Sequence, residues 1–153
     1  MEKQNFFDLN FDQLKNFLIE KAEIDNNKAK MRAQQMFNAV YKKNIKSLNE
    51  LTTFGLDLRE KIKSLISLDK PKIIDVQKSK DGTIKILLEL KDARNVETVL
   101  IPDKTQSRYT ICLSVSVGCY LSCEFCATAQ ISKKLVRNLT PGEIISQIIL
   151  CKD

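Results

Sequence analysis

The sequence predicts an α+β chain in three stretches: a small helical domain over residues 1–70, a β-hairpin and strand connection over 71–104, and, over 105–153, the first strand-loop-helix unit of an α/β barrel or sheet, cut short. Three observations predict it. Apolar residues recur at three- and four-residue intervals as far as Leu68, and the period changes to alternation after Pro71. A strand, a cysteine-bearing loop and a well-capped helix then follow in that order.

The helical stretch begins behind Asn10, whose short side chain can accept from the free amides at a helix start, with Phe11, Leu14, Phe17 and Leu18 on one face. Ala29, Ala33, Met36, Phe37, Val40 and Tyr41 repeat the spacing. Ser47-Leu-Asn-Glu50 reads as a capping box ahead of another helix, where Leu58, Ile62, Leu65 and Ile66 extend the apolar stripe. Stripes of this kind face a core.

Beyond Pro71, Ile73–Val76 and Thr83–Leu90 read as strands joined through Lys80-Asp81-Gly82, followed by a strand over Val96–Ile101. A further strand, Thr110–Ser116, leads through Val117-Gly118 into the cysteines. Thr140-Pro141-Gly142-Glu143 combines a capping threonine, proline at the first helical position and a glutamate three residues on, ahead of Ile144, Ile145, Ile148 and Ile149. Strand, loop and helix in this order open a parallel βα barrel or sheet, whose strand needs parallel neighbours, so the sequence reads as stopping within a domain.

With 43% hydrophobic and 29% charged residues in 153, the composition is that of a folded chain. No run of eighteen apolar residues occurs, and Met1-Glu-Lys-Gln-Asn-Phe-Phe-Asp8 lacks the apolar core of a secretory signal, so the expectation is a cytoplasmic protein with no membrane partner. The net charge of +6 favours polyanions, because lysines and arginines on phosphates release counterions, although a solvated basic surface has the same composition. Of the five cysteines, Cys119, Cys123 and Cys126 fall within eight positions. An odd number so spaced argues against a disulfide framework and for a metal or catalytic group.

Cys119-x3-Cys123-x2-Cys126 puts three thiols on one short loop behind Gly118, a residue free to adopt backbone conformations that others resist. Three cysteine ligands on a four-iron four-sulfur cluster leave one iron open to a cofactor or substrate. A structural zinc site needs a fourth ligand; the chain has no histidine, and only Cys112, seven residues upstream on a strand, stands near enough in sequence to complete a four-cysteine set.

This spacing, with Phe125 just before the third cysteine, resembles the signature of the radical S-adenosylmethionine (SAM) superfamily. Four segments narrow the resemblance: Val96-Glu-Thr-Val-Leu-Ile-Pro102, Cys112-Leu-Ser-Val-Ser-Val-Gly-Cys119, Cys123-Glu-Phe-Cys-Ala-Thr128 and Arg137-Asn-Leu-Thr140. Together with Arg32-Ala33-Gln34-Gln35, Tyr41 and Asp81-Gly82-Thr83-Ile84, they resemble the bacterial dual-specificity ribosomal and transfer RNA (adenine-C2)-methyltransferases over nearly the whole chain.

The resemblance implies a radical SAM partial barrel of which only the first βα unit is present. It implies a 4Fe-4S cluster on Cys119, Cys123 and Cys126, with SAM chelated to the open iron and cleaved by one electron to a deoxyadenosyl radical. It implies methyl transfer to carbon 2 of adenine through a methylated cysteine that has no counterpart in this sequence, so that this length alone should not turn over. Cys112 aligns with the cysteine that resolves the covalent RNA adduct, and Glu97 with the proposed proton acceptor. Implied partners are ribosomal and transfer RNA and an electron donor such as flavodoxin, acting on a monomer. Lys133, Lys134 and Arg137, in or beside the stretch Ala127–Val136, could contact RNA phosphate or could be solvated. Cys151, on the last helix, reads as packing or incidental. The competing reading is a non-catalytic RNA-binding module with a structural zinc or iron-sulfur site.

Overall fold

The computed structural model describes residues 3–103, 105–121, 123–126 and 136–152. The chain forms two compact units, residues 1–69 and 70–153.

In the first unit, β1 (Gln4–Asn5) leads through a turn of 3-10 helix (Phe6–Asp8) to α1 (Phe11–Glu20), α2 (Asn26–Phe37) and α3 (Leu56–Leu65), which runs into β2 (Ile66–Ser67). Asn10 does cap α1, reciprocally with Gln13: each side chain meets the other's backbone amide at 2.9 Å. α2 does not stop cleanly at Phe37. It widens over Asn38–Lys42 into a π-helical turn, in which the Lys43 amide donates to Asn38 O at 3.0 Å.

The core of this unit is Phe6, Leu14, Leu18, Ala29, Ala33, Met36, Leu51, Phe54, Ile62 and Ile66, all essentially inaccessible. Two details differ from the sequence expectation. The capping box Ser47-Leu-Asn-Glu50 is formed, but it caps a single 3-10 turn, and the helix proper starts six residues later, after Gly55. Ile66 leaves the helix, because its backbone pairs in parallel with Gln4, fastening the N-terminal strand to the end of α3. The Asn5 side chain adds a bond to Asp69 O at 3.0 Å.

The second unit is built on a four-stranded antiparallel meander, β3 (Lys72–Lys78), β4 (Ile84–Glu89), β5 (Asn95–Asp103) and β6 (Arg108–Cys112), in that spatial order. The β3–β4 turn uses Gly82 at φ +90°, where an L side chain is strained. Asp81 accepts there from the Thr83 amide and from the Ser79 hydroxyl. These donors hold the Asp81 carboxyl down at about 2.

The two central strands, β4 and β5, alternate. Ile86 and Leu88 of β4 and Val96, Thr98 and Leu100 of β5 face inward, where Val117, Leu139, Ile144, Leu150 and Cys151 pack against the buried aliphatic residues. Two short strands follow, β7 (Ser116–Val117) and β8 (Arg137–Asn138), then α4 (Pro141–Leu150). Thr140 caps α4 with the expected box: its hydroxyl accepts from the Glu143 amide at 3.2 Å and its own amide donates to Glu143 at 2.9 Å. Cys151 packs against the core, and burial pushes its thiol pKa up.

Pairing of β6 with β5 carries the meander to Cys112, across the division expected near residue 104. The single strand expected over Thr110–Ser116 is two, β6 and β7, separated by Leu113–Val115. β7 pairs antiparallel with β8, and among the described residues it has no parallel neighbour. Among the described residues no helix is long and apolar enough to cross a membrane.

Candidate functional site

Glu97 and Cys112 are brought together by strand register. Cys112 stands opposite Val99 on β5, and Val99 lies two residues from Glu97, so the two side chains share one face of the sheet on neighbouring strands. Diagonal neighbours of this kind sit roughly 7–8 Å apart. This is the face opposite the core. Cys112 is exposed, and Glu97 is half exposed with an ion pair to Lys85 Nζ at 3.1 Å. Beside it, the Ser114 hydroxyl donates to the backbone oxygen of Glu97 at 2.7 Å.

The cysteine loop leaves β7 through Gly118, whose φ of +79° is left-handed. Gly118→Ala is expected to cost about 1–2 kcal/mol, the penalty for placing a Cβ in that region. Urea unfolding of the second unit should show this, and an unchanged midpoint would mean that the turn relaxes freely.

Cys119, Cys123 and Cys126 are all partly accessible, and none of the three is disulfide-bonded. The Leu121 amide donates to Cys119 Sγ at 3.4 Å, and the Cys126 amide donates to Cys123 O at 3.0 Å, closing a tight turn between the last two cysteines. Amide bonds to sulfur stabilise thiolate charge, the usual environment of cluster ligands. Among the described residues, however, no three of Cys, Asp, Glu or His lie close enough to hold one metal ion. Cys112, which a four-cysteine zinc site would need, is held on β6 opposite Val99.

Residues 127–135, with Lys133 and Lys134, lie outside the described residues. Arg137 is described, and it is spent inside the fold. Its guanidinium grips Glu143 through two bonds of 2.7 and 2.8 Å and reaches Asp92 with Nε at 2.9 Å. These bonds tie β8 to α4 and to the β4–β5 turn.

A residue that sequence reasoning passed over is Gln147. It is fully buried on α4, with its amide bonded to Thr98 and Ser114. The available signal was a carboxamide three residues after Ile144, on the stripe of an otherwise apolar helix.

Residues 4–68 match the family described as the ribosomal RNA large subunit methyltransferase N-terminal domain. The dual-specificity RNA methyltransferase RlmN of Campylobacter fetus subsp. fetus is 40% identical over 97% of this chain and 42% of its own length. The same-named protein of Nitratiruptor sp. is 39% identical over 81% of this chain and 38% of its own. The chain is similar to RlmN proteins along almost all of its length.

It spans about two-fifths of the length of these RlmN relatives. A solved radical SAM methyltransferase from Sphaerobacter thermophilus superposes on 96% of the chain and 41% of that protein, with a TM-score of 0.80 and 30% identity. Within the RlmN matching region, Arg32 has a plain structural part. It donates to Thr53 O and Gln35 at 3.0 Å and lies 5.1 Å from the Phe54 ring centroid, holding the loop before α3.

Proposed function

We propose that this protein acts in radical SAM methylation of carbon 2 of adenine in ribosomal and transfer RNA, in the cytoplasm, and that Cys119, Cys123 and Cys126 are the ligands of a 4Fe-4S cluster. The observation that carries the reading is the three-thiol loop itself, placed between β7 and α4 in a chain similar to RlmN proteins along almost all of its length. The donor set fits such a cluster: three sulfurs, no histidine anywhere in the chain, and an amide already donating to the first sulfur. Convergence of the sulfurs would come with binding, since metal sites of this kind assemble as the metal enters. When bound, the cluster and SAM supply one-electron chemistry. The β7–loop–α4 segment is then the opening unit of a partial barrel, a reading supported by the likeness to the Sphaerobacter protein.

The remaining roles belong to side chains on the open face of the sheet. Glu97, paired with Lys85, would take a proton from a base laid on that face, provided the reacting group comes within hydrogen-bond reach. Cys112 is exposed beside it and, as thiolate, is the group that would release a covalent RNA adduct. The basic net charge suits an RNA partner.

The test is anaerobic reconstitution followed by iron and sulfide analysis and electron paramagnetic resonance, comparing the chain with a Cys119→Ala, Cys123→Ala, Cys126→Ala variant. About four irons per chain, lost in the variant and with a spectrum perturbed by SAM, is the expected result. Stoichiometric zinc, or folded protein that takes up no metal, overturns the reading.

A further inference from the structure

Buried polar groups are costly unless every hydrogen-bonding capacity is met, so a fully satisfied one marks a place where the fold insists on one geometry. Gln147 is such a group. Its Oε1 accepts from the Thr98 hydroxyl at 2.7 Å and from the Ser114 amide at 3.0 Å. Its Nε2 donates to Ser114 O at 2.9 Å and to Glu143 O at 3.3 Å. Two acceptor sites and two donors are all in use.

The pair of bonds to Ser114 has a particular form. One carboxamide takes both the N–H and the C=O of a single residue, as a neighbouring strand would. Ser114 lies in the gap between β6 and β7, where ladder pairing is interrupted. Gln147 therefore stands in for a strand partner at that gap. An aliphatic residue there would pack the helix against the sheet, but it would leave the buried Thr98 hydroxyl and the half-buried Ser114 backbone without these partners.

What is held this way is the connection between the proposed site residues. Ser114 is two residues after Cys112 and five before Cys119, its hydroxyl bonds to Glu97 O, and Thr98 is next to Glu97 in sequence. We infer that Gln147 is a positioning residue whose carboxamide fixes the placement of Glu97, Cys112 and Cys119 relative to one another. The inference rests on the functional reading above for the roles of those three residues, but not for the clamp itself.

The experiment uses hydrogen exchange and thiol labelling on the intact chain, with cluster loading as a separate arm. In the wild-type chain the Ser114 amide should exchange on the order of a hundredfold more slowly than an unprotected amide. Gln147→Met, which keeps the volume and loses all four bonds, should speed exchange of the Ser114 and Val115 amides by about tenfold or more, as expected for losing two hydrogen bonds. It should also speed iodoacetamide labelling of Cys119 relative to Cys151. Thr98→Val removes one bond to Gln147, leaves both bonds to Ser114, and should change exchange by less than about threefold.

An unprotected Ser114 amide in the wild type overturns the clamp without recourse to any variant. So does a Thr98→Val effect equal to that of Gln147→Met, which would mean general softening of the core. In the loading arm, Gln147→Met should take up less iron or give a shifted resonance spectrum; wild-type iron content and an identical spectrum overturn the positioning role. A wild-type chain that loads no iron overturns the site reading, and with it that role, while the exchange data still decide the clamp.

Discussion

Phe6→Ala is expected to lower the stability of the helical unit by about 3–5 kcal/mol, the usual cost of emptying a buried aromatic site. Phe6 is completely inaccessible. Its ring centroid lies 5.7 Å from that of Phe7, 5.3 Å from Phe37 and 5.7 Å from Tyr41, so it is the shared member of an aromatic cluster drawn from the N-terminal turn and the end of α2. The same burial raises the Tyr41 hydroxyl pKa. The unit comprises residues 1–69, a size at which one core supplies little stability in excess, so the loss should consume most of it. Circular dichroism at 222 nm during urea titration is the measurement. Leu56→Ala, at a residue 73% exposed, is the control and should move the midpoint by less than about 0.5 kcal/mol. A Phe6→Ala shift as small as the control's would show that the cluster rearranges to fill the space.

Phe6 also shows where sequence pattern and structure part company. The stripes through Leu14, Leu18, Ala29, Ala33, Met36 and Ile62 are legible as core because helical period and burial coincide. Phe6 sits ahead of the first helix, where no period applies, and it is buried because Gln4–Asn5 pairs with Ile66–Ser67, a contact across some sixty residues that local sequence does not announce. The box Ser47–Glu50 was legible as a cap, yet the number of turns it would cap was not, since caps report a start and not a length.

In the second unit the alternation of β4 and β5 and the cap of α4 follow from sequence, and the shared face of Glu97 and Cys112 follows from register once β6 is placed beside β5. The break at Leu113–Val115 was not legible, because the partner that meets Ser114 there is Gln147 of α4, distant in sequence. The cysteine spacing names the donors without assembling them.

The second large effect is expected at Arg137. Replacing it with alanine removes a two-bond grip on Glu143 and the bond to Asp92, and leaves a carboxylate whose side chain is 18% exposed without its counter-charge. A buried pair broken on one side costs about 3–5 kcal/mol and an exposed one less than about 1. With Arg137 at 31% exposure and Asp92 at 37%, an intermediate loss of about 2 kcal/mol is expected at neutral pH. Arg137→Lys keeps the charge but not the planar fork, and should recover less than half of it.

The pH dependence gives a second signature. Bonds from Arg137 hold the Glu143 and Asp92 carboxyls below their ordinary values of 4.5 and 3.8, and the two carboxylates push the guanidinium pKa further up. A carboxyl depressed in the folded state contributes stability above its unfolded pKa and loses it as pH falls through the folded one. The raised arginine contributes at every pH below its unfolded value, and so does not bend the profile in acid. Wild-type stability of the second unit should therefore fall as pH drops below about 4.5, and the part of that fall owed to these two carboxyls should be missing from Arg137→Ala. Urea midpoints at pH 7, 5, 4 and 3 measure it. Curves that stay parallel for the two proteins would mean that the grip on Glu143 and Asp92 is not kept in solution.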